Sequence, residues 1–215
     1  MTPRLAPVAL ATLSALALAG CTALGSVNSA ARNLDAYELT PLPVATAASR
    51  PSSRMLFVAE PVISGAIGSE RIVLKPNALQ VTFLGDGRWV EPAPLHIRNL
   101  LARSFANSGQ LSLVTTSSVG PLPDYTLLAD VDRFQAEILP DGAGARARVV
   151  VSMTLTLVRD ADAGLVATRR FLRVAEAADI DAMDIAAAFD AAMTPILREA
   201  TAWGLRVITG RAPSA

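Results

Sequence analysis

The chain has 215 residues, with 19 basic and 19 acidic side chains and a formal net charge of zero. That balance, with only two Trp and two Tyr, argues against a nucleic-acid surface, which needs a basic excess and aromatic stacking platforms. One compact domain fits the length, and the 52% hydrophobic content partly reflects alanine rather than a membrane-spanning body.

At the N-terminus, Arg4 supplies a weak positive charge and Leu5 to Ala19 an apolar run rich in Ala and Leu, the layout of a secretory signal peptide. The run is too short to span a bilayer, which takes ~20 apolar residues. It closes on Leu18, Ala19, Gly20 and Cys21, the only cysteine. This LAGC sequence resembles the lipobox of bacterial lipoprotein precursors, in which small residues let a peptidase cut before an acylated cysteine. Residues 1–20 are therefore read as a lipoprotein signal peptide and Cys21 as the acylated first residue of the mature chain. The competing readings are an unlipidated signal peptide and an inert core cysteine. Acylation leaves no thiol, and so no disulfide, thiol nucleophile or cysteine-ligated metal within the monomer. Residues 21–36, small and polar after the cysteine, form a flexible tether of ~55 Å extended or roughly 20 to 25 Å as a coil. A domain on that leash stays near its membrane.

The domain itself is expected over residues 37–209, with 210–215 a disordered tail. Tyr37 to Leu42 reads as a short strand ended by Pro41, and Pro43 to Ser53 as a loop. Met55 to Val62, Arg71 to Lys75 and Leu79 to Leu84 are apolar, β-branched runs bounded by Pro, Gly and Asn, and read as strands; Gly85, Asp86 and Gly87 then turn the chain into Trp89. From Pro94 to Ser108 the period becomes helical, with Ile97, Leu100, Leu101 and Phe105 on one side and His96, Asn99, Arg103 and Asn107 on a polar stripe. After a strand near Ser112 to Thr115 come three longer runs, Tyr125 to Phe134, Ala145 to Arg159 and Leu165 to Ala175. Turns at 140–144 and 160–164 make them consecutive antiparallel hairpins. Val149, Val151, Met153, Leu155 and Leu157 alternate with a largely polar set, giving one core face and one polar face. The last element, Asp184 to Ile208, is an amphipathic helix that Pro195 should kink or divide. The sum is a two-layer α+β domain: a mostly antiparallel or mixed sheet with two amphipathic helices on one face.

No catalytic set emerges. His96 is the sole histidine, which removes histidine-cluster metal sites, and its place on the polar stripe makes it a solvated side chain. Gly142 and Gly144 lie between two strands and form a hairpin turn, where a phosphate loop would need a strand before it and a helix after it. Asp179, Asp181 and Asp184 lack the glycine and closing glutamate of a calcium loop and instead cap the last helix. Arg146, Arg148, Arg169 and Arg173 are placed on the polar face of the hairpin sheet, with Asp130 and Asp132 on the neighbouring strand. That face is either solvated and salt-bridged or meets an acidic partner or lipid head groups.

In order and spacing these segments resemble one family. The marks are the lipobox cysteine, YELTPLP (Tyr37, Leu39, Pro41), RIVLKPNALQVTFLGDGRWVEPAP ending in Arg88, Trp89, Glu91 and Pro92, and LLARSFANSG. They continue with DYTLLADVDRFQAEI (Asp124, Tyr125, Leu127, Phe134) and the closing helix with Phe189, Asp190 and Trp203. The chain resembles the ABC-type transport auxiliary lipoproteins, the PqiC-like group that accompanies MCE-domain lipid transport systems. The resemblance implies an α+β periplasmic domain, anchored to the outer membrane because Thr22 is not the aspartate of inner-membrane retention. It would work with an MCE-domain protein and its ABC permease and ATPase, carrying no catalytic residues, metal or cofactor. The partner-contact residues are unknown, and a homo-oligomer matching a ring-shaped partner stays open. The alternative is a periplasmic carrier of a lipid or small apolar ligand, or an envelope enzyme; sequence does not distinguish a filled core from a hollow one.

Overall fold

Alternation along the run from Val149 to Val158 builds the centre of the fold. The computed structural model describes residues 34–46, 51–63, 65–141 and 144–210. Cys21, the tether up to residue 33, Gly142 and the tail from residue 211 lie outside the described residues. The strands are β1 (Asp35–Tyr37), β2 (Met55–Val58), β3 (Val62–Ile63), β4 (Arg71–Lys75), β5 (Thr82–Trp89), β6 (Leu113–Thr115), β7 (Tyr125–Asp141), β8 (Gly144–Arg159) and β9 (Gly164–Glu176). Among the described residues the α-helices are α1 (Ala93–Asn107) and α2 (Ala182–Thr209), and Gly65–Gly68 forms a short 3-10 helix.

Among the described residues nine strands join one mixed sheet whose spine is β7. Along one edge β7 pairs antiparallel with β8 over its whole length, and β9 follows β8 antiparallel. Along its other edge β7 takes three short parallel partners in succession: β2 (Leu56 opposite Tyr125), β3 (Val62 opposite Asp130) and β4 (Leu74 opposite Ala136). β5 and then β1 extend the sheet beyond β4, and β6 extends it beyond β2. The register of β7 against β8 shifts between Val131 and Arg133. This bulge reverses the side-chain alternation, so that Val131 and Phe134 both face the core.

Both helices cover the same face of the sheet. Val149, Val151, Met153, Leu155 and Leu157 point into that layer and are fully buried. They meet Ile97, Leu101 and Phe105 of α1 and Ile185, Phe189, Met193, Ile196 and Ala200 of α2. At Gly204 α2 packs closely against α1: a Cβ there would stand 2.7 Å from the Phe105 ring. Trp89, at the end of β5, joins three elements by ring contacts. It stacks on His96 at 5.7 Å and meets Phe134 at 5.4 Å and Phe189 at 4.9 Å. These side chains form one buried cluster between sheet and helices, each apolar one adding ~1.5 to 3 kcal/mol on burial.

Several local expectations need correction. The first strand ends at Tyr37, and residues 38–45 form an irregular strap. The run to Val62 divides into β2 and β3. β5 begins at Thr82, leaving Leu79 almost fully exposed in the preceding turn. It continues through Gly85 and Gly87 to Trp89, in place of the turn that the glycines suggest. Gly87 serves packing: an added Cβ would lie 2.7 Å from Ala182 Cβ and 2.9 Å from the Tyr37 ring. α2 remains one helix through Pro195, held by a stripe buried on several sides. Asp181 caps it, accepting the Asp184 N–H at 2.9 Å, and Gly210 closes it in the left-handed region at φ 64°.

Candidate functional site

Two surfaces carry the polar chemistry of the domain: the strap over α1 and the sheet face that no helix covers. The strap follows β1 and lies across both helices. Its backbone has no strand partner, so side chains take that role. His96 Nε2 accepts the Leu39 N–H at 3.0 Å, Asp190 Oδ1 the Thr40 N–H at 2.7 Å, and Ser104 Oγ the Leu42 N–H at 3.2 Å. Asn107 donates to the Leu42 carbonyl at 2.6 Å, and its own carbonyl accepts the Ala45 N–H at 2.8 Å. Leu39 is thereby seated in the core.

The polar stripe of α1 is therefore a dock for the strap, and His96 is not solvated: 2% of it is exposed. Because Nε2 accepts a hydrogen bond, the proton of the neutral ring sits on Nδ1, 3.6 Å from Glu91 Oε1. Burial pushes the imidazole pKa below its ordinary value, outweighing the opposite pull of Glu91 and Glu38, while Arg103 lowers it further. Signals for the strap were present in YELTPLP, whose prolines leave it a poor strand, and in the spacing of His96, Ser104 and Asn107.

On the helix-free face three arginines are paired with carboxylates. Arg148 donates to Glu137 at 2.9 Å, Arg146 to Glu176 at 2.6 Å, and Arg170 to Asp132 at 3.1 Å, with Ser152 also on Asp132 at 3.2 Å. Burial raises the Glu137 pKa, but the hydrogen bonds from Arg148 and Gln135 and the charges of Arg148 and Arg133 hold it below the ordinary value. Asp130 and Asp132 are on this face, as expected. Arg169 and Arg173 are not: they share the helix side of β9 with buried Phe171, and both pair with Glu199 of α2. Arg169 also lies over the Phe171 ring at 5.2 Å. The period of two already places 169, 171 and 173 together, and Glu199 supplies the charge that lets two arginines flank a core ring.

At the end of the sheet where β2 and β7 begin, Asp124 accepts the Met55 N–H at 2.8 Å and an Arg54 N–H at 2.7 Å. The Met55 bond chiefly holds its carboxyl below the ordinary range; burial opposes this and Arg54 reinforces it. Between these elements Leu128, Leu172 and Val174 stand half-exposed on the helix-free face. Gly144 pairs with Asp141 in the β7–β8 hairpin, and Asp181 and Asp184 are engaged at the start of α2. Among the described residues no group of three His, Cys, Asp or Glu side chains is placed to hold a metal, and no helix is long and apolar enough to cross a membrane.

No curated protein matches the sequence. Among solved structures, the chain is similar to a DUF330-family protein from Xanthomonas campestris, with 25% identity and a TM-score of 0.70 over 81% of this chain and 95% of that one. A crystal structure of an uncharacterized protein matches in fold, with 18% identity and a TM-score of 0.57 over 81% of this chain and 98% of that one. Residues 37–200 match the model of the ABC-type transport auxiliary lipoprotein component, a span that runs from the strap through the sheet and most of α2. The chain thus belongs to the ABC-type transport auxiliary lipoprotein family.

Proposed function

We propose that this protein is a noncatalytic docking component of an ABC-type lipid transport system, tethered through acylated Cys21 to the periplasmic side of the outer membrane. Its partner is an MCE-domain protein working with an inner-membrane permease and ATPase. The observation that carries this reading is the family match over residues 37–200. The many buried side chains packed together between sheet and helices support docking over carriage of an apolar ligand in the core. The surface available for the contact is the helix-free face, where Leu128, Leu172 and Val174 stand exposed among arginines already paired with carboxylates. Apolar patches set among neutralised charges suit association with another protein.

Genetic complementation tests the reading. Deleting the gene should make the envelope permeable to detergents, and the wild-type chain should restore the barrier. The Cys21→Ser chain, released into the periplasm, should restore it poorly. Full complementation by a chain that no longer fractionates with membranes would contradict anchored docking.

A further inference from the structure

A groove of about 730 Å³ opens on the helix-free face where β4 leaves the sheet. Lys75 and Pro76 form one wall, and Arg133, Glu137, Leu139 and Arg148 line the floor and the opposite side. Its volume is that of a small-molecule site.

The charge of the groove decides what could occupy it. Both carboxylates that face it are engaged: Asp132 by Arg170 and Ser152, Glu137 by Arg148 and Gln135. Lys75 and Arg133 have no acidic partner within ion-pair distance among the described residues, although arginines elsewhere on the surface, such as Arg54, Arg88 and Arg103, have theirs. The groove therefore holds two cations outside any ion pair among the described residues, Arg133 acting on Glu137 only at longer range, beside a third, Arg148, which is paired with Glu137. A guanidinium offers a planar pair of donors to two oxygens of one anion, and an ammonium adds a point charge. Pro76, Ala78, Ile138 and Leu139 add apolar wall beside the charges.

We propose that this groove binds a phosphate anion held between Lys75 and Arg133. The phosphate belongs either to a lipid head group, whose acyl chains would start along the apolar wall, or to free phosphate. The preference for phosphate over other oxyanions rests on the lipid-transport reading, whereas the anion site rests on the two cations themselves.

Lys75 is the only lysine in the sequence, so selective ¹³Cε-lysine labelling of the full acylated chain in neutral detergent gives one side-chain resonance, at the site. Dihexanoylphosphatidylglycerol should shift that resonance saturably. Arg133→Ala, which removes an exposed side chain that makes no ion pair, should weaken the binding roughly tenfold at an unchanged thermal midpoint. Raising the salt concentration should weaken it too. Titration with inorganic phosphate separates the sources: much weaker binding than the lipid assigns the site to a head group, and equal affinity assigns it to the free anion. The absence of a saturable shift with both probes, or equal binding by Arg133→Ala, would overturn the proposal. The titration uses purified protein, so its failure is distinct from a failure to find an MCE-domain partner.

Discussion

The imidazole Nε2 of His96 accepts the backbone N–H of Leu39 at 3.0 Å, joining the strap to α1 across 57 positions of sequence. In the unfolded chain this ring takes a proton near its ordinary pKa of 6.5, whereas burial in the fold holds the value lower. Between the two values the unfolded state binds more protons, so stability falls as the pH drops below about 6.5 and levels off below the folded pKa. His96→Gln should cost ~1 to 3 kcal/mol at neutral pH by disturbing a buried hydrogen bond. Its deficit relative to the wild type should shrink as the pH is lowered through that window. Denaturant unfolding at several pH values measures the difference, and parallel slopes would show that the ring is not held neutral.

Gly204→Ala should strain the junction of α1 and α2. The new Cβ would lie 2.7 Å from Phe105 Cζ, and overpacking of this kind costs ~1 to 3 kcal/mol. The better helix propensity of alanine offsets ~1 kcal/mol of that. Phe105→Leu in the same chain should relieve part of the strain, giving a favourable coupling in a double-mutant cycle read by chemical denaturation.

Trp203→Ala should destabilise the fold by ~3 to 5 kcal/mol, the cost of emptying a large core site. Trp203 is buried on α2 and meets the Phe171 ring edge-on at 6.1 Å. Its thermal midpoint should fall well below that of the wild type; an unchanged midpoint would place the indole outside the core.

How far the sequence discloses this structure depends on what each side chain pairs with. The alternation from Val149 to Val158 states its own face, because a half-buried strand needs only the period of two. α2 is equally plain: its apolar positions repeat along more than seven turns, and that burial outweighs Pro195. The stripe of His96, Ser104 and Asn107 does not disclose its role, since a polar helix face looks the same whether water or a strap of backbone covers it. Arg169 and Arg173 mislead for a similar reason, their partner Glu199 being on another element. The glycines of β5 look like a turn because nothing local reveals that Ala182 and Tyr37 crowd Gly87. The groove at Lys75 depends on which carboxylates are already engaged, and that is a property of the folded sheet alone.

Cys21→Ser should release the protein from membranes. Acylation contributes ~0.8 kcal/mol per buried CH₂, and no helix among the described residues offers a spanning alternative. Fractionation of the envelope reads the outcome, and retention of the substituted chain in the outer membrane would point to attachment through a protein.

The docking role is tested most directly by affinity purification of the tagged chain from detergent extracts of envelopes, side by side with a Leu172→Asp, Val174→Asp double variant. Both substituted side chains are about half exposed, so the variant should keep the thermal stability of the wild type. The wild-type chain should bring down an MCE-domain subunit and the variant should lose it. Recovery of no MCE-domain subunit with the wild-type chain, together with hydrolytic activity in the purified protein, would contradict the account.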